Sequence, residues 1–146
     1  MRAGAKKKLD DRVRVIENHL RAENAHDIDA IMATFGEHPT FRLNGTLHSD
    51  RDSIISMYDG LGFGEKGYFS DLKAEAKQQH VTKDSIVLEL LLSGRHTADW
   101  QGLRATGRTF EIPACAVFEF DKHGTLAAER VYFDSGLLRQ QLTASA

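Results

Sequence analysis

Apolar positions along the chain change period once, dividing it into a helical first part and a β-rich second part. Val13, Ile16 and Leu20 recur at helical spacing and predict an amphipathic helix over residues 9–24. Asp27 stands as an N-cap ahead of a second helix, whose Ile28, Ile31, Met32 and Phe35 share one face. After Gly36 and Pro39, Thr40-Phe41-Arg42-Leu43 alternates as a short strand. Ser49 and Asp52 have capping-box spacing before a third helix carrying Ile54, Ile55 and Tyr58. Gly60, Gly62, Gly64 and Gly67 end that helix in a flexible loop.

From Tyr68 onward the period is two. Leu72, Ala74 and Ala76 alternate with Lys73, Glu75 and Lys77, the pattern of a half-buried edge strand. Residues 85–98 form a more buried strand with Ile86, Leu88, Leu90, Leu92, Gly94, His96 and Ala98 on one side. Residues 108–120 place Phe110, Ile112, Ala114, Ala116, Phe118 and Phe120 together. A turn at Asp121-Lys122-His123-Gly124 leads to a last strand over 125–134, then to a short helix with Leu137, Leu138 and Leu142. Helices followed by an antiparallel meander indicate an α+β fold. A strongly curved, mostly antiparallel sheet wrapped over three N-terminal helices leaves a pocket between the layers. The expected organisation is a flexible tail over 1–8 and a single domain over 9–146.

Composition narrows the function. A chain of 146 residues with 41% hydrophobic and 27% charged positions has the size and balance of one globular domain. A net charge of −2 supplies no field for nucleic acid or an anionic membrane, and Lys6-Lys7-Lys8 reads as a solvated end. Cys115 is alone, so no intrachain disulfide forms and a reducing compartment is expected. No apolar run approaches a membrane span, and the N-terminus has no signal-type apolar core. These features predict a cytoplasmic protein.

Parity along the last strand puts Leu126, Ala128, Arg130, Tyr132 and Asp134 on one side. His96 continues a leucine row and looks toward the same interior. A carboxylate desolvated among Tyr132, Trp100 and Phe41 has a raised pKa and suits proton transfer. His96 or Tyr132 would then donate to a developing oxyanion, while Arg130 holds an acidic substrate group. The expected catalytic residues are Asp134 and His96; Arg130, Tyr132, Trp100, Phe41 and Tyr58 are the expected substrate contacts. Each also has an ordinary reading. Asp134 suits the N-cap of the last helix, His96 a structural histidine, and Arg130 an outward position if a bulge shifts the strand by one.

The hairpin "GRHTADWQGLRATGRTFEIP", Gly94 to Pro113, resembles the SnoaL-like polyketide cyclases through Gly94 and His96, Trp100 and Gly102, and Thr106-Gly107-Arg108. The closing "FDSGLLRQQL" is similar to that family's ending, with Asp134 on its catalytic aspartate, and "AHDIDAIMATF" resembles its N-terminal region more loosely. The resemblance implies a nuclear transport factor 2-like cone and an aspartate serving as acid and base in ring closure, without metal or cofactor. The chain departs from the pattern at Arg130, where an apolar residue is expected, and in lacking prolines between Gly102 and Thr106.

Other signals lead elsewhere less directly. The seven histidines show neither His-x-x-x-His nor His-Glu-x-x-His spacing, and the glycine-rich stretch lacks a Gly-Lys-Ser/Thr phosphate loop. Ser135-Gly136 lacks a nucleophile-elbow context. The leading expectation is a cofactor-free cyclase or isomerase acting on a small hydrophobic carbonyl or polyketide-like substrate. Its alternatives are a noncatalytic ligand-binding or dimerisation module, and an epoxide hydrolase-like enzyme. Val87, Leu91, Val117, Val131 and Phe133 form the opposite sheet face, and predict a homodimer.

Overall fold

The structure, a computed structural model, describes residues 2–144. Its elements run α1 (Ala3–Asn24), α2 (Ile28–Ala33), β1 (Phe35–Leu43), β2 (Thr46–His48), α3 (Arg51–Tyr58), β3 (Phe69–Val81), β4 (Ser85–His96), β5 (Thr109–Phe120), β6 (Leu126–Phe133) and α4 (Ser135–Thr143). This is an α+β fold with one open six-stranded sheet in the order β2-β1-β6-β5-β4-β3. All neighbours are antiparallel except β1 and β6, which run parallel.

The helical part follows the apolar period, with shifted ends. Helix α1 starts at Ala3, so Lys6, Lys7 and Lys8 lie on an exposed helical turn rather than in an irregular tail. Asp27 caps α2 by accepting from the Ala30 N–H. Phe35 is buried as expected but opens β1 instead of closing α2. The capping box of α3 is one residue later than the spacing suggested: Asp50 accepts from the Ser53 N–H, and Ser53 answers to the Asp50 backbone. Past Tyr58, a π-helical turn over Asp59–Phe63 requires Gly62 at φ 126°, where a Cβ would overlap the Phe69 carbonyl oxygen.

The inner sheet face carries the predicted rows. Ile86, Leu88 and Leu90 of β4 and Ala114, Ala116 and Phe118 of β5 are buried toward the helices, joined by Ile16, Ile31 and Ile54. Strand β6 departs from simple alternation. Phe120 pairs with Leu126, but Glu119 pairs with Ala128, so Ala127 is an extra residue. That bulge reverses the facing of everything after it. Glu129 and Val131 are buried inward, while Arg130 and Tyr132 turn to the outer face.

Candidate functional site

Between the helices and the inner sheet face lies a cavity of about 110 Å³ with an almost wholly apolar wall. Phe41, Tyr58, Phe63, Phe69, Phe110 and Phe118 supply its aromatic surface. Among its lining residues only Glu23, Asn24, Tyr58, Lys73 and Glu129 bring polar side-chain atoms. Asn24 and Lys73 are exposed, which places the opening of the cavity between the end of α1 and β3. Asn24 joins these two elements by a pair of hydrogen bonds, donating to the Ala74 carbonyl (2.9 Å) and accepting from the Ala74 N–H (2.8 Å).

The charged centre of the cavity is Glu129, 2% exposed and set between Phe41 of β1 and Phe118 of β5 by strand pairing. It meets His19 of α1, which is fully buried and edge-on to Phe35 and Phe118. His19 Nε2 lies 2.9 Å from Glu129 Oε1 and 2.7 Å from Glu23 Oε1. Both contacts are within ion-pair distance, and charge attraction holds the three groups together. The Tyr58 hydroxyl donates to Glu23 Oε1 at 3.0 Å. On the other side of the ring, His19 Nδ1 lies 2.7 Å from Thr34 Oγ1, whose own proton goes to the Ile31 carbonyl. The network therefore assigns a proton to Nδ1, leaving Nε2 to face the carboxylates.

Burial alone would lower the pKa of His19, but the Glu129 and Glu23 carboxylates outweigh it and raise the value to about 10. His19 is thus an imidazolium at neutrality. Burial pushes the Glu129 carboxyl up; His19 pulls it back, Glu23 pushes it further, and the result is about 7. Burial, with the Glu129 and Glu23 charges, keeps the Tyr58 phenol protonated.

His19, Glu23 and Glu129 offer a nitrogen and two carboxylate oxygens within 4.8 Å of one another, a donor set able to hold a metal ion. Ligands at 2.0–2.1 Å around a tetrahedral zinc lie about 3.3 Å apart. The 2.7 and 2.9 Å contacts are tighter and suit a shared proton.

The residues singled out in the sequence are not brought together. Phe41 and Tyr58 do line the cavity. Trp100 is buried one layer behind, against Phe69 at a ring distance of 5.7 Å. His96 is fully buried in the same neighbourhood, 5.8 Å from the Phe69 ring. Its Nδ1 accepts from the Thr106 N–H, and its Nε2 has no partner among the described residues. The Ala127 bulge corrects the placement of the rest. Arg130 pairs on the outer face with Glu119 at 2.9 Å, and Tyr132 is 47% exposed. Asp134 is exposed and accepts from the Leu137 N–H at 3.0 Å, as the cap of α4. It is separated from His96 by β5, because Phe133 pairs with Ala114 and Arg95 with Thr109. The same bulge moves Val131 and Phe133 from the expected outer face into the cavity wall.

His19, Glu23 and Glu129 were not expected as site residues. A signal for the first two exists: His19 and Glu23 are four residues apart on the helix face that holds Ile16 and Ala22. Ionisable side chains in an apolar stripe need partners.

The model of the SnoaL-like polyketide cyclases matches residues 15–142. The chain belongs to the SnoaL-like polyketide cyclase family. Family membership supports a cyclase-type function. Solved structures show the same cone-shaped fold. A candidate SnoaL-like polyketide cyclase from Jannaschia sp. CCS1 has a TM-score of 0.80 and 16% identity, over 92% of this chain and 93% of its own. AclR, a candidate hydroxylase from Streptomyces galilaeus, has a TM-score of 0.75 and 19% identity, over 92% and 82%. The epoxide hydrolase/cyclase-like enzyme SalBIII, described for pyran ring formation in polyether salinomycin, has a TM-score of 0.70 and 17% identity, over 88% and 94%. No curated protein matches the chain.

Proposed function

We propose that the cavity is an acid–base active site in which Glu129 moves a proton on a small, uncharged carbonyl substrate during cyclisation or isomerisation. The observation that carries this reading is a carboxylate, 2% exposed, on the wall of an almost wholly apolar cavity. A carboxyl group held near pH 7 is matched to accepting and returning protons at neutrality.

In this scheme the Glu129 carboxylate takes a proton from the carbon next to the carbonyl. The resulting enolate attacks an electrophilic carbon in the same molecule or is reprotonated elsewhere, and Glu129 gives the proton back. Tyr58, the only hydroxyl on the cavity wall among the described residues, redirects its hydrogen bond from Glu23 to the enolate oxygen. His19 keeps Glu129 oriented and balances one of the two negative charges. With both carboxylates ionised the cluster carries a net −1, which opposes an anionic substrate. Arg130 lies outside the cavity and offers no counterweight. An epoxide-opening carboxylate–arginine pair is not available there for the same reason.

A noncatalytic ligand-binding module is favoured by one observation, the use of Asp134 as an exposed helix cap. Deuterium exchange separates the readings. Small apolar ketones that raise the melting temperature are incubated with the protein in D2O, and α-deuteration is followed by NMR. The acid–base reading expects accelerated exchange that Glu129→Gln reduces by about 10²-fold or more. Binding without any exchange would support the noncatalytic module instead.

A further inference from the structure

The three charged groups of the cavity differ in their access to water. His19 is fully buried and the Glu129 side chain is 2% exposed, whereas that of Glu23 is 14% exposed. Glu23 also stands beside Asn24 at the cavity opening. Away from the cavity, Glu129 is enclosed by protein among the described residues. Phe41 and Phe118 flank it on the neighbouring strands, and the Nδ1 side of His19 ends at Thr34 and the Ile31 carbonyl. The Tyr58 hydroxyl leads back to Glu23.

We propose that Glu23 is the proton-exchange residue of this site, connecting water to Glu129 through His19 Nε2. This rests on the acid–base reading above for its purpose, but its geometry stands without a substrate. Inward, the Nε2–H bond breaks as an O–H bond forms on Glu129, leaving a neutral imidazole held by its Nδ1–H on Thr34. A Glu23 carboxyl that has taken a proton from water then restores Nε2–H and returns to the carboxylate. Outward transfer is the reverse sequence. One proton moves in each step, and no redox partner is involved. Such a path resets Glu129 to the carboxylate, by the outward sequence, whenever a turnover ends with the abstracted proton still on its carboxyl group.

The test uses the ligand-free, 15N-labelled protein and reads solvent exchange of the His19 Nε2 proton by NMR. In Glu23→Gln the side chain still accepts from Tyr58 but cannot carry a proton. Exchange must then wait for local opening and slows by roughly tenfold or more. Glu129→Gln does not slow exchange, since the outer half of the path remains and the loss of one carboxylate loosens the Nε2 proton. Glu23→Asp, measured alongside, withdraws the carboxylate from Nε2 and gives an intermediate rate. An unchanged rate in Glu23→Gln, or equal slowing in Glu129→Gln, would overturn the relay. Because no substrate is present, that failure is distinct from a failure of α-deuteration, which bears on the acid–base reading alone.

Discussion

Glu129 Oε1 and His19 Nε2 lie 2.9 Å apart in a region where both side chains are closed to solvent. Removing two charges from water costs several kcal/mol per ion before their attraction is counted. Leucine and isoleucine of matching volume would fill the same space without that cost. The pair, with Glu23 beside it, is a feature of this core that packing does not explain, and it faces the cavity.

Stability should fall as pH rises past neutrality. The folded His19 pKa is about 10 against 6.5, and a raised value means full stabilisation below pH 6.5 and loss as pH climbs to 10. Glu129 is raised too, from 4.5 to about 7, so its contribution has the same sign and is lost over that lower window. At about 1.4 kcal/mol per pH unit, the His19 loss is on the order of 5 kcal/mol. Urea denaturation at pH 6, 8 and 10 checks this, and His19→Gln should flatten the slope above pH 6.5.

Asp134→Ala should cost about 1 kcal/mol of stability through the lost α4 cap. Asp134→Asn keeps the cap and should leave both stability and turnover near wild type. A collapse of turnover in Asp134→Asn with intact folding would restore the catalytic role that the sequence resemblance implied.

Arg130→Leu should change stability by no more than about 1 kcal/mol, because the Glu119 pair is partly exposed. It should also leave KM unchanged for acidic and neutral substrates alike. A selective rise in KM for an acid would mean that the guanidinium reaches the ligand after all.

Much of this fold is written in its alternation, and much of its site is not. The rows Ile86-Leu88-Leu90 and Ile112-Ala114-Ala116 keep strict parity, so the sequence shows which face of β4 and β5 is inward. Strand β6 is legible only as far as Leu126. Ala127 has no residue type that announces a bulge, and one extra position exchanges Arg130, Tyr132 and Asp134 for Glu129, Val131 and Phe133. The three-residue strand β2 is too short to show a period. His19 and Glu23 were visible as polar positions in an apolar helix stripe. Their meaning depended on Glu129, a residue far along the chain on a strand whose facing alternation misassigned.

The outer sheet face keeps Val87 paired to Val117 and Leu91 to Pro113, with Tyr132 opposite Cys115. We expect a second copy to cover it, and Val117→Glu to reduce the sedimentation coefficient to that of a monomer. A monomeric wild type at micromolar concentration would contradict this expectation.

The central claim is that Glu129 is a carboxyl group kept near neutrality by an apolar cavity and a buried partner. It is tested most directly by the pH titration of its side-chain carboxyl carbon in 13C-glutamate-labelled protein, assigned by comparison with Glu129→Gln. The account predicts a midpoint at about 7. A midpoint at the ordinary glutamate value near 4.5 would show a hydrated carboxylate, and would contradict it.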